Sequence, residues 1–299
     1  MDKNPILLNT DSFTHAHVHY DPLLKAAFCE MRSEPRPCFT EHLLNDIARF
    51  QKLIRSRVLS DLKNKHETDI EYIVLSSSIE GVFNLGGDLS LFIELMKKKD
   101  KERLLEYAKL CIQDAYNFST NLDTPVTSIA LLEGNAQGGG FEAALSCNII
   151  IAERNVLMGF PEVLFNLFPG MGAYTFLSRR IYPGLAERLI TSGLLYSAEQ
   201  LYEMGIVDIL AEPGKGREKL GDFIRSSRRK TNAKRFIHHI HDNYNSISYD
   251  ELLDITQLWV DSVLRLDSSQ IKTMQRLVRA QNKLYQNEHS SEANLLSPG

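Results

Sequence analysis

Two glutamates, Glu142 and Glu162, stand twenty positions apart within the stretch ALLEGNAQGGGFEAALSCNIIIAERNVLMGFPEVLFNLFPGMG at residues 130–172. The pattern reads as a strand, three consecutive glycines, a helix, a second strand and a proline-led turn. Gly138, Gly139 and Gly140 carry no Cβ, so the backbone can bend sharply and leave its N–H groups bare. The helix from Phe141 onward begins with N–H groups that have no partner inside it, and such a place holds negative charge. Glu142 lies in the first turn of that helix. The chain then runs down the helix, returns along Asn148 to Ala152, and comes back to the same level at Phe160-Pro161-Glu162. Two carboxylates can therefore meet over one glycine turn.

The remaining elements must position this turn. Residues 1–15 are polar and read as frayed. His15, His17 and His19 then alternate on one face of a strand, which could bind a metal, but no carboxylate or cysteine cluster completes the set, so no metal site is expected. A second strand, Lys25 to Met31, ends at the prolines Pro35 and Pro37. Thr40 caps a helix on which Leu43, Ile47, Phe50, Ile54 and Val58 recur at helical steps. Tyr72 to Ser77 is a buried strand that leads into a loop with a second glycine pair, Gly86 and Gly87. That loop lacks the spacing of a phosphate-binding turn, so it reads as a backbone turn offering N–H groups to an oxygen. Leu91 to Asn121 reads as helical, interrupted by the solvated charge run KKKDKER at 97–103. Ser197 with Gln200 makes a capping box, and Gly205 to Leu210 gives another short strand. Pro213 to Gly216 is the best linker candidate. Beyond it only helical periodicity appears, with a second capping box at Ser248 and Glu251, an apolar stripe through Leu252, Ile255, Trp259 and Val263, and a disordered tail from about Gln286.

Composition narrows the class. With 299 residues and 43% apolar content the chain can build a large packed core, and it contains no run of apolar residues long enough to span a membrane. The opening residues carry no export signal, so the cytoplasm is the expected location. Cys29, Cys38, Cys111 and Cys147 are scattered without paired spacing, which fits reduced thiols in a core. A formal charge of −4 argues against general nucleic-acid binding.

Gly-Gly-Gly-Phe-Glu at 138–142, Phe-Pro-Glu at 160–162, Phe-Pro-Gly-Met-Gly at 168–172, Asn-Leu-Gly-Gly-Asp-Leu at 84–89 and Ser-Ala-Glu-Gln-Leu-Tyr-Glu-Met-Gly-Ile-Val-Asp at 197–208 together resemble the crotonase, or enoyl-CoA hydratase/isomerase, superfamily. The resemblance covers residues 70–210. It implies an α/β fold, a crotonase-like ββα spiral core over residues 1–212, with a helical C-terminal region over 213–299 that covers an acyl pocket and mediates assembly into trimers or hexamers. It also implies no cofactor, and an oxyanion hole built from the N–H groups of Gly87 and Gly139. A thioester carbonyl held there can accept electron density as an enolate, and each such donor is worth about 3 kcal/mol.

Members with glutamates at both positions resemble hydratases and dehydratases. One carboxylate removes a proton or steers water; the other, kept protonated by its twin, delivers a proton to a leaving hydroxyl. Around Gly86 this chain has Asn-Leu-Gly-Gly where ordinary fatty-acid hydratases have Ala-Ala-Gly-Ala, and it carries an extra extended N-terminal piece. Taken with the long opening strands, the segments LLEGNAQGGGFEAALSCNIIIAE and GFPEVLFNLFPGMGAY look most like the diffusible-signal-factor synthases of bacterial quorum sensing. That subfamily takes a 3-hydroxyacyl chain on acyl carrier protein, removes water to give a cis-2-enoyl thioester, and hydrolyses the thioester to a free fatty acid. The resemblance assigns catalysis to Glu142 and Glu162, substrate contact to Gly86 and Gly138, and the acyl wall to Met171, Trp259 and Leu277. It further implies a sensor histidine kinase as a regulatory partner in some members.

Other readings compete. Singly, Glu142 also reads as a charge on a helix dipole and Glu162 as a turn residue; together beside the glycines they favour catalysis. A crotonase-like binding protein without turnover would not need the intact pair. Six basic residues in the eleven from Arg225 to Arg235 suggest RNA, but no aromatics interleave them, and the same patch, with Arg228 and Arg229, could dock an acidic carrier protein. His238, His239 and His241 beside it read as surface helix residues.

Overall fold

The computed structural model describes residues 13–32, 36–66, 68–227, 237, 240 and 244–280. The alternating stretch of histidines forms strand β1 (Ala16–Asp21), which turns back antiparallel as β2 (Ala26–Met31). The residues before β1 are not frayed from Phe13 on. Asp46 Oδ2 accepts the N–H groups of Thr14 and His15 at 2.9 and 2.7 Å, and Arg49 lies over the Phe13 ring. Thr40 accepts the N–H of Leu43 and starts α1 (Glu41–Lys63), a cap worth about 1 kcal/mol. The predicted stripe Leu43, Ile47, Phe50, Ile54 and Val58 is the buried face of that helix.

From here the chain repeats one pattern three times: a strand in a large sheet, a short strand in a small sheet, then helix. The first turn is β3 (Tyr72–Ser77), β4 (Val82–Asn84), α2 (Leu89–Lys98) and α3 (Lys101–Ser119). Lys99 adopts a left-handed conformation between the two helices, and Asp100 caps the second, so the charge run marks a true break. The second turn is β5 (Thr127–Leu132), β6 (Asn135–Gln137) and α4 (Gly139–Ser146). The third is β7 (Ile149–Glu153), β8 (Leu157–Gly159), a 3-10 turn at Pro161–Phe165 and α5 (Ala173–Leu177). Then follow α6 (Pro183–Ser192), β9 (Leu195–Ser197), α7 (Ala198–Glu203), β10 (Ile209–Ala211), α8 (Gly216–Ser227), α9 (Tyr249–Val263) and a helix over 268–280. This mixed α/β spiral is the fold class expected from the sequence.

The large sheet has the order β1-β2-β3-β5-β7-β10, parallel except at β1. Its inner strands are near-continuous apolar runs because both faces are covered. Ile73, Leu75, Ala130, Leu132, Ile150 and Ala152 face the main core, while Val74, Ile129, Leu131, Ile149 and Ile151 face Leu220 and Ile224 of α8. The small sheet, β4-β6-β8-β9, carries the glycine loops on its strand ends.

Two expectations are corrected here. The strand predicted over 205–210 is only Ile209–Ala211, because Gly205 takes a φ of +80° to end α7. The box at Ser248 is one-sided: Ser248 caps α9, but the Glu251 carboxylate turns to Arg179 and Thr175 instead of back to the cap. The capping box at Ser197 and Gln200 is complete. All four cysteines are free and buried. The basic stretch beyond Ser227, His238, His239, His241 and the tail from Gln286 lie outside the described residues. Among the described residues, no helix is long and apolar enough to cross a membrane.

Candidate active site

The strand ends of the small sheet and the helices packed on them enclose a cavity of about 370 Å³. Its lining contains Gly86, Gly87, Gly138, Gly139, Glu142, Glu162, Met171, Trp259 and Leu277, so every residue that the family resemblance placed in the site reaches one space. Among the lining residues none is lysine, arginine or histidine. Charge that develops here therefore meets backbone dipoles, carboxyl groups and neutral polar side chains among these lining residues.

The glycine turns are built by close approach. Gly138 takes φ +53° and ψ −127°, a conformation that L side chains avoid, and a methyl group there would come within 2.2 Å of Glu162 Oε1. The Glu162 carboxyl therefore packs directly on the Gly138 backbone. A methyl at Gly140 would come within 2.1 Å of the Asn84 carbonyl, so the start of α4 lies against the end of β4. This contact brings the two glycine loops together. A methyl on Gly139 would lie 3.5 Å from the Gly87 nitrogen and 2.8 Å from Met171 Sδ. Among the described residues neither the Gly87 nor the Gly139 N–H finds an acceptor. Two bare donors thus converge on the cavity beside Met171.

The loop carrying Gly87 is clamped from outside. Leu85 N–H donates to the Pro37 carbonyl at 2.7 Å, Phe39 N–H donates to the Gly86 carbonyl at 2.8 Å, and Gly86 N–H donates to Asn84 Oδ1 at 2.8 Å. Phe92 packs over Gly87 and meets both Tyr107 and Trp259 edge-on, with ring centroids 5.3 and 5.0 Å apart. Trp259 in turn lies so close to Gly170 that a methyl there would reach 2.3 Å from Cγ. That is how α9 is seated against the loop before α5.

The two carboxyls differ in support. Glu142 is 1% exposed, and its Oε1 accepts the N–H groups of Met171 at 2.7 Å and Ala173 at 2.9 Å. Burial pushes its carboxyl up to about 7, opposed by those backbone donors. Glu162 is partly buried as a residue, but its Oε2 is shielded from water and has no partner among the described residues. Burial, with the charge of Glu142 added to it, pushes its carboxyl up to about 8. When one proton is shared, it resides on Glu162, because the N–H groups of Met171 and Ala173 hold Glu142 while only its own backbone N–H favours an ionised Glu162. The pair supplies one base and one acid at neutral pH.

Tyr107, Glu80, Asn135 and Gln137 also line the cavity and escaped the sequence reading. Tyr107 sits on a stripe of α3 that looks like plain core, while Asn135 and Gln137 belong to a three-residue strand too short for periodicity to reveal.

Residues 54–220 match the model of the family described as Enoyl-CoA hydratase/isomerase. Among curated relatives, the fatty acid oxidation complex subunit alpha of Idiomarina loihiensis is 32% identical over 53% of this chain and 21% of its own length. The mitochondrial enoyl-CoA hydratase domain-containing protein 2 of Bos taurus is 30% identical over 48% of this chain and 46% of its own length. The matched part thus spans half the length or less of both relatives. Among solved structures, an enoyl-CoA hydratase from Bacillus halodurans superimposes with a TM-score of 0.71 at 18% identity, covering 87% of this chain and 98% of that one. Pseudomonas aeruginosa DspI gives a TM-score of 0.64 at 22% identity, covering 84% and 96%. At such identities these two likenesses speak for the fold.

Proposed function

Since the chain belongs to the enoyl-CoA hydratase/isomerase family, we propose that it dehydrates a 3-hydroxyacyl thioester carried on acyl carrier protein and then hydrolyses the product, releasing a free cis-2-unsaturated fatty acid that serves as a diffusible signal. The observation that carries this reading is the pair Glu142 and Glu162 over one cavity with two bare N–H groups.

In the first step the thioester carbonyl sits between the N–H groups of Gly87 and Gly139. Ionised Glu142 takes the α-proton, and electron density moves onto the carbonyl oxygen, where the two donors stabilise it. The enolate collapses, the C–O bond at the β-carbon breaks, and the hydroxyl leaves as water with the proton of Glu162. The proton now rests on Glu142 and Glu162 is ionised. In the second step Glu162 takes a proton from a water molecule that adds to the carbonyl carbon in the same hole. The tetrahedral intermediate expels the thiolate, which receives that proton from Glu162, and a proton passed from Glu142 to Glu162 restores the starting state. Burial supports this sequence by holding both carboxyls near neutrality, so each can give or take a proton.

The relatives' names favour a second reading, reversible hydration of an enoyl-CoA. Mass spectrometry separates the two after the protein is mixed with 3-hydroxydodecanoyl groups on acyl carrier protein and, separately, on CoA. A free 2-enoic acid from the carrier-linked substrate, absent with Glu142→Ala and Glu162→Ala, supports the proposed function. An enoyl thioester that stays attached, formed best on CoA, replaces it with the second reading. No product from either substrate leaves a binding role.

A further inference from the structure

The opening hairpin carries residues that the thioester chemistry does not use. His17 and His19 share one side of β1, their rings stacked with centroids 5.2 Å apart. The antiparallel register sets Glu30 directly opposite His17, with Glu30 Oε2 3.2 Å from His17 Nδ1. One ligand atom from each of the three lies within 4.8 Å of the other two. The expectation that no carboxylate joins these histidines is thereby overturned, because strand pairing brings in a residue that the local sequence does not.

Each group is prepared differently. His19 Nδ1 is buried and has no hydrogen-bond partner among the described residues, and Phe28 stacks on the ring at 4.5 Å and holds its plane. His17 is more than half exposed and leaves a path from solvent. Arg217 of α8 holds the other oxygen of Glu30, Oε1, at 2.7 Å and also reaches Glu133 at 3.5 Å. That contact orients the carboxylate as an outer partner does in a metal site, and leaves Oε2 to face the histidines.

We infer that His17, His19 and Glu30 bind one divalent transition-metal ion, with Zn²⁺ the natural occupant, in a two-histidine, one-carboxylate site separate from the catalytic cavity. Imidazole nitrogens with a single carboxylate suit zinc and its neighbours rather than calcium or magnesium. In a zinc complex the three atoms would stand about 2.0–2.2 Å from the ion. The ion takes the place of the direct contact between His17 Nδ1 and Glu30 Oε2. Its consequence is structural: β1 is an edge strand, and the ion ties it to β2 and, through Glu30 and Arg217, to α8.

The test is calorimetric titration of the metal-free full chain with Zn²⁺, followed by Co²⁺ absorption spectra and thermal melts with and without Zn²⁺. One equivalent should bind, raise the melting midpoint, and give the intense visible bands of low-coordinate cobalt. His17→Gln, at an exposed position that should not disturb folding, should weaken binding at least tenfold and abolish the midpoint shift. Arg217→Gln should weaken binding about tenfold or more, since Glu30 loses the contact that orients its carboxylate. Zn²⁺ binding that is unchanged in His17→Gln would place the ion elsewhere in the chain and overturn the inference, as would no binding at all.

Discussion

The Tyr107 hydroxyl accepts the backbone N–H of Asp88 at 3.1 Å while donating to the Phe39 carbonyl at 2.6 Å. Asp88 follows Gly87, so a buried phenol on α3 joins the donor-bearing loop to the segment that clamps it. Tyr107→Phe should keep the ring packing and lose both bonds, leaving the Phe39 carbonyl and the Asp88 N–H without this partner. Because small misplacement of a donor is felt mainly in the transition state, kcat should fall about tenfold or more with KM unchanged. The carbonyl stretch of a bound, unreactive thioester should move toward its value in water. A rise in KM at constant kcat would assign Tyr107 to substrate binding instead.

Glu142→Gln and Glu162→Gln should each lower kcat by about 10²–10⁴, the range for a lost general acid or base. In the Glu142→Gln variant the side-chain amide oxygen can still accept the Met171 and Ala173 N–H groups, so the fold should persist. In the proposed mechanism both carboxyls pass protons to one substrate, so the double variant should be little worse than the poorer single one. Steady-state rates with circular dichroism on the same samples check both statements.

Folding should become less favourable as pH rises through neutrality. The carboxyls of Glu142 and Glu162 are raised to about 7 and about 8 from an ordinary 4.5, so the folded chain binds more protons than the unfolded one in that window. Their contribution is fully present below about pH 4.5, declines as pH rises, and is lost above about pH 8. Asp114 acts in the same direction: both its oxygens are buried without a partner among the described residues, and burial raises its carboxyl well above the usual range. Urea midpoints at pH 5, 7 and 9 should fall in that order. Asp114→Asn should flatten the trend, losing little at pH 5 and gaining at pH 9.

Gly138→Ala should cost both activity and stability. The methyl group meets Glu162 Oε1, and the positive φ adds about 1–2 kcal/mol of backbone strain. By contrast, Gly214→Ala meets no atom within 4 Å at a comparable φ, and so separates strain from displacement of Glu162. Thermal melts of the two variants should fall together, while only Gly138→Ala should lose turnover.

Local physics made much of this chain legible in advance. The Thr40 cap, the stripe on α1, the strand Tyr72–Ser77, the break near Lys99 and the glycine-led start of α4 depend on neighbours within a few residues, and all appear in place. The paired glutamates were legible for the same reason, since a strand, turn and helix of ordinary length return the chain to its starting level. Tertiary structure alone decided the rest. Strands β4, β6, β8 and β9 have three residues each, too few to show a period of two, yet they bring Gly87 and Gly139 to one cavity. Tyr107 looks like core until the segment at Phe39 and the loop at Asp88 arrive beside it from elsewhere in the chain. Phe13 to His15 read as a loose end until Asp46 of α1 supplies an acceptor. Glu30 meets His17 only through hairpin register. Sequence determines what each segment does with its neighbours in the chain; which buried groups find partners across the fold is set when distant segments compete for the same space and the same hydrogen bonds.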